Sequence, residues 1–137
     1  MPSPGETFFG KECWIAGFGR TNQQPREYND LLQETLTIVN EDCGPYSAYT
    51  FPKYTTMCVG YNGATTGCNG DSGGPLVCEG NLVYSKLICY KLILDDNGNF
   101  VLAGVASWAS VECLISEPTG YASVADARDW ILDVTGV

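Results

Sequence analysis

The sequence predicts an all-β fold, a small closed antiparallel barrel finished by one helix. Three observations predict it. Short apolar, β-branched and aromatic runs recur along the chain, turn-forming pairs separate them, and apolar residues at 3-and-4 spacing make a credible helix only near the end.

Taken in order, the candidate strands are Cys13–Phe18, Leu31–Val39, Thr56–Tyr61, Pro75–Glu79, Phe100–Trp108 and Gly120–Ser123. Each is rich in Val, Ile, Thr, Tyr, Trp or Cys and ends at residues that favour turns. Gly44-Pro45, Asn62-Gly63, Asn69-Gly70, Asn97-Gly98 and Pro118 supply the breaks. After the second strand, Asn40 is placed to cap a short helix over Glu41–Cys43. The terminal helix is expected over Val124–Val134. Ser123 and Asp126 form a capping box at its start, and Ala127, Trp130, Ile131 and Val134 share one face expected to dock on the core.

At 137 residues the chain is long enough for one domain with a true core. A net charge of −9, from 16 acidic against seven basic residues, argues against nucleic acid or an anionic membrane as partner. The acidic residues are scattered, as on a solvated surface. No stretch reaches the roughly 18 apolar residues a membrane span needs. The polar, breaker-rich start Met1-Pro2-Ser3-Pro4-Gly5-Glu6 does not read as a signal peptide.

Seven cysteines, Cys13, Cys43, Cys58, Cys68, Cys78, Cys89 and Cys113, point to an oxidising, extracellular compartment. With no CxxC pair and no histidine, a zinc site has no support. The arithmetic gives three disulfides and one odd thiol, and spacing leaves the pairing open.

Chemistry concentrates in Gly67-Cys68-Asn69-Gly70-Asp71-Ser72-Gly73-Gly74-Pro75-Leu76. Three glycines around one serine permit tight, partly left-handed backbone. Such a loop can aim the N–H groups of Gly70 and Ser72 at one spot and stabilise the oxyanion of an attacked carbonyl. One donor of that kind contributes roughly 2.7–4 kcal/mol. The bland alternative is a glycine-rich turn bearing a surface serine. A hydrolase elbow of the strand-serine-helix type is excluded, because Pro75-Leu76-Val77-Cys78 continues as a strand and no histidine follows.

The full string Gly70-Asp71-Ser72-Gly73-Gly74-Pro75 resembles the signature of the chymotrypsin/trypsin family of serine proteases. Other segments fall in family order around it. Cys13-Trp14-Ile15-Ala16-Gly17-Phe18-Gly19 resembles the strand opening the family's second barrel, with Phe18 where most members have Trp. Met57-Cys58-Val59-Gly60-Tyr61, Val105-Ala106-Ser107-Trp108-Ala109 and Pro118-Thr119-Gly120-Tyr121 resemble its later strands.

The resemblance implies a six-stranded antiparallel Greek-key barrel, the second barrel of the trypsin-like fold, with a C-terminal helix over residues 12–137. Residues 1–11 resemble the linker between barrels, and the first barrel is expected to be absent. Ser72 would be the nucleophile, Gly70 and Ser72 the oxyanion hole, and Asp71 the carboxylate that receives an amino group on activation. Thr66 would form the floor of the specificity pocket, with Ala109 and Thr119 on its walls. Gly67, Asn69, Ser107 and Trp108 would contact substrate. Side chains in place of wall glycines imply a small aliphatic residue before the scissile bond, as in elastases. Implied disulfides are Cys13–Cys78, Cys43–Cys58 and Cys68–Cys113, leaving Cys89 odd.

No cofactor is implied, and no metal; Pro118 stands where sodium-dependent members carry an aromatic residue. The implied partners are a polypeptide substrate, the missing N-terminal barrel with its histidine and aspartate, and protein protease inhibitors. The sequence departs from the family in two ways. It has no histidine to act as general base, so the chain alone is expected to be inactive, with a sticky face left exposed. It also carries 16 extra residues, about 79–94, which could be an extra hairpin, an exosite or translated non-coding sequence. The competing function is a non-catalytic protease homologue serving as a binding or regulatory module.

Overall fold

The computed structural model describes residues 1–21, 28–46, 55–61, 65–80 and 100–136. Six strands and a helix follow one another: β1 (Glu12–Gly17), β2 (Gln33–Asn40), β3 (Thr56–Val59), β4 (Pro75–Glu79), β5 (Phe100–Trp108), β6 (Thr119–Ser123) and α1 (Val124–Thr135), with a 3-10 turn at Gly44–Tyr46 after β2. The strands close into one antiparallel barrel in the order β1-β2-β3-β6-β5-β4. This is the six-stranded barrel expected from the sequence. Closure pairs every strand on both sides and removes exposed edges.

Strand alternation decides what goes inside. In β1, Cys13 and Ile15 point inward while Glu12, Trp14 and Ala16 face out. Thr37 and Val39 do the same for β2, and Leu76 and Cys78 for β4. These meet Met57, Val59, Val101, Ala103, Ala106 and Tyr121 in one core. Phe8, ahead of β1, belongs to that core and Pro2 is also fully buried, so the segment called a linker is seated on the barrel. Gly104 allows the tight approach of Met57 and Tyr121, since a Cβ there would lie 2.7 Å from the Met57 methyl carbon. All three implied disulfides form: Cys13–Cys78, Cys43–Cys58 and Cys68–Cys113.

Three local expectations need correction. Residues 41–43 are not helical. The Asn40 amide instead donates to the Gly60 carbonyl across the β2–β3 gap, and Asp42 Oδ1 accepts from the Gly44 N–H at 2.7 Å and the Tyr61 hydroxyl at 2.7 Å. Side-chain bonds of this kind compete with helix formation. The capping box at α1 is half made. Ser123 Oγ accepts from the Asp126 N–H at 3.3 Å, but the Ser123 N–H is already committed to the Thr55 carbonyl at 2.9 Å. Finally, α1 buries only Val124 and Ala125. Trp130 is 68% exposed and Val134 is exposed too, while Ala127 and Ile131 of the expected docking face are half-buried, so only part of that face is covered. The turn signals at Asn62-Gly63 and Asn97-Gly98, residues 81–94 of the insertion, and Cys89 lie outside the described residues.

Candidate active site

The loop between Gly67 and Pro75 is two consecutive turns. The Asp71 N–H donates to the Cys68 carbonyl at 3.1 Å, and the Gly74 N–H to the Asp71 carbonyl at 2.8 Å. Gly70 at φ 100° and Gly73 at φ 81° supply the left-handed residues that let the chain reverse twice within so few positions. The loop is then tied to β5: the Gly73 N–H donates to the Ala106 carbonyl and the Ala106 N–H to the Gly74 carbonyl, both at 2.9 Å. Cys68–Cys113 pins its other end.

This double turn sends neighbouring side chains opposite ways. Ser72 is exposed. Asp71 is half-buried, and its carboxylate accepts from the Gly19 N–H at 2.8 Å and the Cys68 N–H at 2.9 Å. It fits only because β1 leaves toward it through two glycines; a Cβ at Gly17 or Gly19 would occupy the space of the carboxylate. Among the described residues, no cation pairs with Asp71. Neither the Gly70 nor the Ser72 N–H donates to any described group.

Asp71 faces a cavity of about 730 Å³ bounded by Ile15, Gly19, Thr66, Cys68 and Tyr121. Burial, aided by the Asp71 charge, pushes the Tyr121 hydroxyl well above the ordinary tyrosine range. Of the residues expected in the specificity pocket, Thr66, Gly67 and Thr119 come together. Thr119 Oγ1 donates to the Gly67 carbonyl at 2.8 Å and meets the Thr66 hydroxyl. Thr66 Oγ1 also lies 3.4 Å from the Val59 carbonyl, to which it donates. Trp108 lies flat against Gly120, where no Cβ would fit, and meets Tyr46 edge-on at 5.6 Å between ring centres. Ser107 is exposed, Ala109 is half-buried, and Asn69 donates to Cys113 Sγ at 3.6 Å. Only Thr66 of the expected substrate-contacting set lines the cavity under Asp71.

Sequence reasoning assigned no role to Gly17, Gly19, Tyr28 or Arg20. Gly17 and Gly19 were visible as a Gly-x-Gly at a strand end, a spacing that marks close approach of another group. Tyr28 packs on Gly70, where a Cβ would come within 2.7 Å of its ring, and Arg20 lies 5.2 Å above the same ring. The Arg20 N–H also donates to the Asn69 carbonyl at 3.1 Å. No local pattern signals the contacts of Tyr28 with Gly70 and of Arg20 with Asn69, which join residues far apart in sequence.

A closed Greek-key barrel with a terminal helix and an exposed serine between left-handed glycines defines a second-barrel domain of the trypsin-like fold. Comparison with known families agrees: residues 3–131 match the model of the Trypsin family. The chain belongs to that family. It is 34% identical over 131 residues to transmembrane protease serine 5 of Homo sapiens, covering 90% of this chain and 24% of that protein. It is 33% identical over 138 residues to the hepatocyte growth factor activator serine protease of Homo sapiens, covering 97% of this chain and 19% of that protein. Identity to transmembrane protease serine 9 of Rattus norvegicus is 33% over 128 residues, covering 91% of this chain and 11% of that protein. The chain thus spans a quarter or less of each relative's length. No helix among the described residues is long and apolar enough to cross a membrane.

Proposed function

We propose that the chain is the nucleophile-bearing half of a serine endopeptidase. One observation carries the reading: the loop turns Asp71 inward and Ser72 outward while leaving the Gly70 and Ser72 N–H groups without described acceptors. Ser72 Oγ attacks the peptide carbonyl as its proton passes to a base. The two amides hold the oxyanion, and collapse expels the amine, which takes that proton, and leaves an acyl-serine for water to cleave. Since the chain contains no histidine, the base and its orienting aspartate come from a first barrel. Asp71, held so far by neutral donors alone, is the seat for an activating amino group.

Ala109 and Thr119 put side chains on walls where a wide pocket carries glycine, and Thr66 leaves its floor without a charge for a basic residue, which favours a small aliphatic residue before the scissile bond. Methyl groups there discriminate by only about 1–3 kcal/mol, so the preference is a bias. Three disulfides fit an extracellular site of action, free or membrane-anchored.

The test is to express the chain joined to the segment encoded upstream of Met1 and assay alanine-type and arginine-type p-nitroanilides. We expect hydrolysis of the alanine substrate, abolished by Ser72→Ala, and no turnover by the chain alone. Failure of Ser72 to acylate in the joined protein would overturn the assignment. A non-catalytic module is the second reading, supported by the absence of histidine. Finding no histidine followed by aspartate in the upstream segment would select it.

A further inference from the structure

The loop around Ser72 carries a reactive pair that the proposed chemistry does not use. Asn69-Gly70 stands at the tip of its first turn, which the Asp71 N–H closes on the Cys68 carbonyl at 3.1 Å. A peptide nitrogen that follows asparagine can attack the side-chain amide carbon. Glycine obstructs this approach least, having no Cβ.

The fold leaves that path open. Gly70 is exposed, and its N–H donates to no described acceptor, so the attacking nitrogen has no bond to give up. The amide under attack is loosely held, because Asn69 Nδ2 donates to the Cys113 sulfur at 3.6 Å and sulfur is a weak acceptor. Turning the Asn69–Gly70 peptide toward the side chain sacrifices one neutral bond, from the Arg20 N–H to the Asn69 carbonyl at 3.1 Å. The two other asparagines among the described residues are placed differently. Asn29 precedes Asp30 and its amide donates to the Gly19 carbonyl; Asn40 precedes Glu41 and its amide donates to the Gly60 carbonyl.

We propose that Asn69-Gly70 is a site of spontaneous deamidation, which sets a lifetime on the oxyanion pair. The Gly70 nitrogen loses its proton to water and bonds to Asn69 Cγ. The Cγ–Nδ2 bond breaks, the departing nitrogen takes up a proton and leaves as ammonia, and a five-membered succinimide remains. Water then opens the ring. Attack at Cγ gives aspartate, and attack at the main-chain carbonyl gives isoaspartate, whose backbone runs through Cβ and Cγ. Both products add a carboxylate beside the place where the oxyanion forms. The isoaspartyl form also lengthens the path from Cys68 to Asp71 by about 1.5 Å, one carbon–carbon bond. The ends of that path are fixed, by Cys68–Cys113 and by the two N–H bonds to the Asp71 carboxylate. The extra length is therefore taken up at Gly70, whose N–H leaves its convergence with that of Ser72. This consequence rests on the protease reading, whereas the modification itself does not.

The test holds the folded, disulfide-bonded chain at neutral pH and body temperature, then maps its peptides by mass spectrometry and isoaspartyl methyltransferase labelling. Asn69 should convert to aspartyl and isoaspartyl forms while Asn29 and Asn40 keep their amides. Loss of one neutral hydrogen bond should slow the reaction by about tenfold at most relative to the same chain reduced and unfolded in urea. Conversion slower than that would overturn the proposal, because the fold would then lock the pair. Asn69→Gln keeps the amide but needs a larger ring, so it should stay unconverted, and conversion there at the native rate would count equally against the mechanism. In the protein joined to its upstream segment, a fluorophosphonate should label Ser72 about 10²–10³-fold more slowly in the isoaspartyl fraction than in the asparaginyl one. Equal labelling of the two fractions would remove the lifetime role. A fresh joined protein that fails to label counts against the protease reading alone, and the peptide maps still decide the modification.

Discussion

Replacing Asp71 with alanine tests the frame of the candidate site without needing catalysis. The carboxylate accepts two N–H bonds, from Gly19 at 2.8 Å and Cys68 at 2.9 Å. Bonds to a charged group contribute roughly 1.5–3 kcal/mol each. Because Asp71 is only half-buried, water partly replaces them in the variant, so the lower end applies, about 3 kcal/mol in all. Against a domain stability of about 5–15 kcal/mol that is a large loss. Asp71→Asn keeps the shape and one acceptor but turns an NH2 toward the second amide, so it should be destabilised as well, by less. Urea unfolding measures the total, and amide exchange locates it: the Gly19 and Cys68 amides should exchange slowly in the native chain and quickly in Asp71→Ala. Unchanged exchange at both amides, with stability within about 0.5 kcal/mol of native, would refute the claim that this carboxylate organises the loop.

Further outcomes follow from neighbouring contacts. Tyr121 ionises less readily folded than unfolded, because burial and then the Asp71 charge raise its pKa. Its contribution is therefore complete below about pH 10 and is lost as pH rises, at up to about 1.4 kcal/mol per pH unit. Tyr121→Phe should flatten the alkaline limb of a stability-pH curve by one proton, and parallel curves would contradict this. Thr119→Val leaves the buried Gly67 carbonyl without the hydroxyl that donates to it, a loss of about 1–3 kcal/mol by denaturant unfolding that Thr119→Ser should largely restore. Replacing both Cys68 and Cys113 with serine opens a loop of 45 residues and should lower stability by roughly 4 kcal/mol on the chain-entropy account. Proteolysis of that variant should begin between these positions, and cleavage first at α1 would argue against the staple's role.

The barrel was legible because strand formation here is a local, alternating signal. β4 and β5 fall where the sequence put them, at Pro75–Glu79 and Phe100–Trp108. β3 stops at Val59, short of the expected Tyr61, because Gly60 and Tyr61 both take positive φ, 75° and 73°, which ends a strand. β2 starts at Gln33, after exposed Leu31 and Leu32, whose apolar character suggested strand without supplying a ladder partner. The terminal helix had the right position and docks on the barrel by only part of its expected face: Ala127 and Ile131 are half-buried while Trp130 and Val134 stay exposed, and periodicity cannot say how far along the helix the covering surface reaches. The disulfide pairings came from family resemblance alone, since seven cysteines fit many pairings and strand register, invisible in composition, selects among them. In the same way the Gly17-x-Gly19 pattern hinted at a close approach but could not name the group, and the fold supplies Asp71, 52 residues beyond Gly19.

That distance matters for how the site works. A serine hydroxyl becomes useful when the amides beside it are fixed before the substrate arrives, because reorganisation during reaction costs what the hydrogen bonds would otherwise supply. Here the loop is fastened at independent places: to β1 through Asp71 and Gly19, to β5 through the Ala106 pair, and to the 110s through Cys68–Cys113. Tyr28 on Gly70 adds a contact from the segment that follows β1. None of these fastenings uses a histidine or a first barrel. The frame around Ser72 and the proton transfer that would drive it are therefore separable properties. A chain that proves inert toward esters but loses Gly19 and Cys68 protection in Asp71→Ala would have the first without the second.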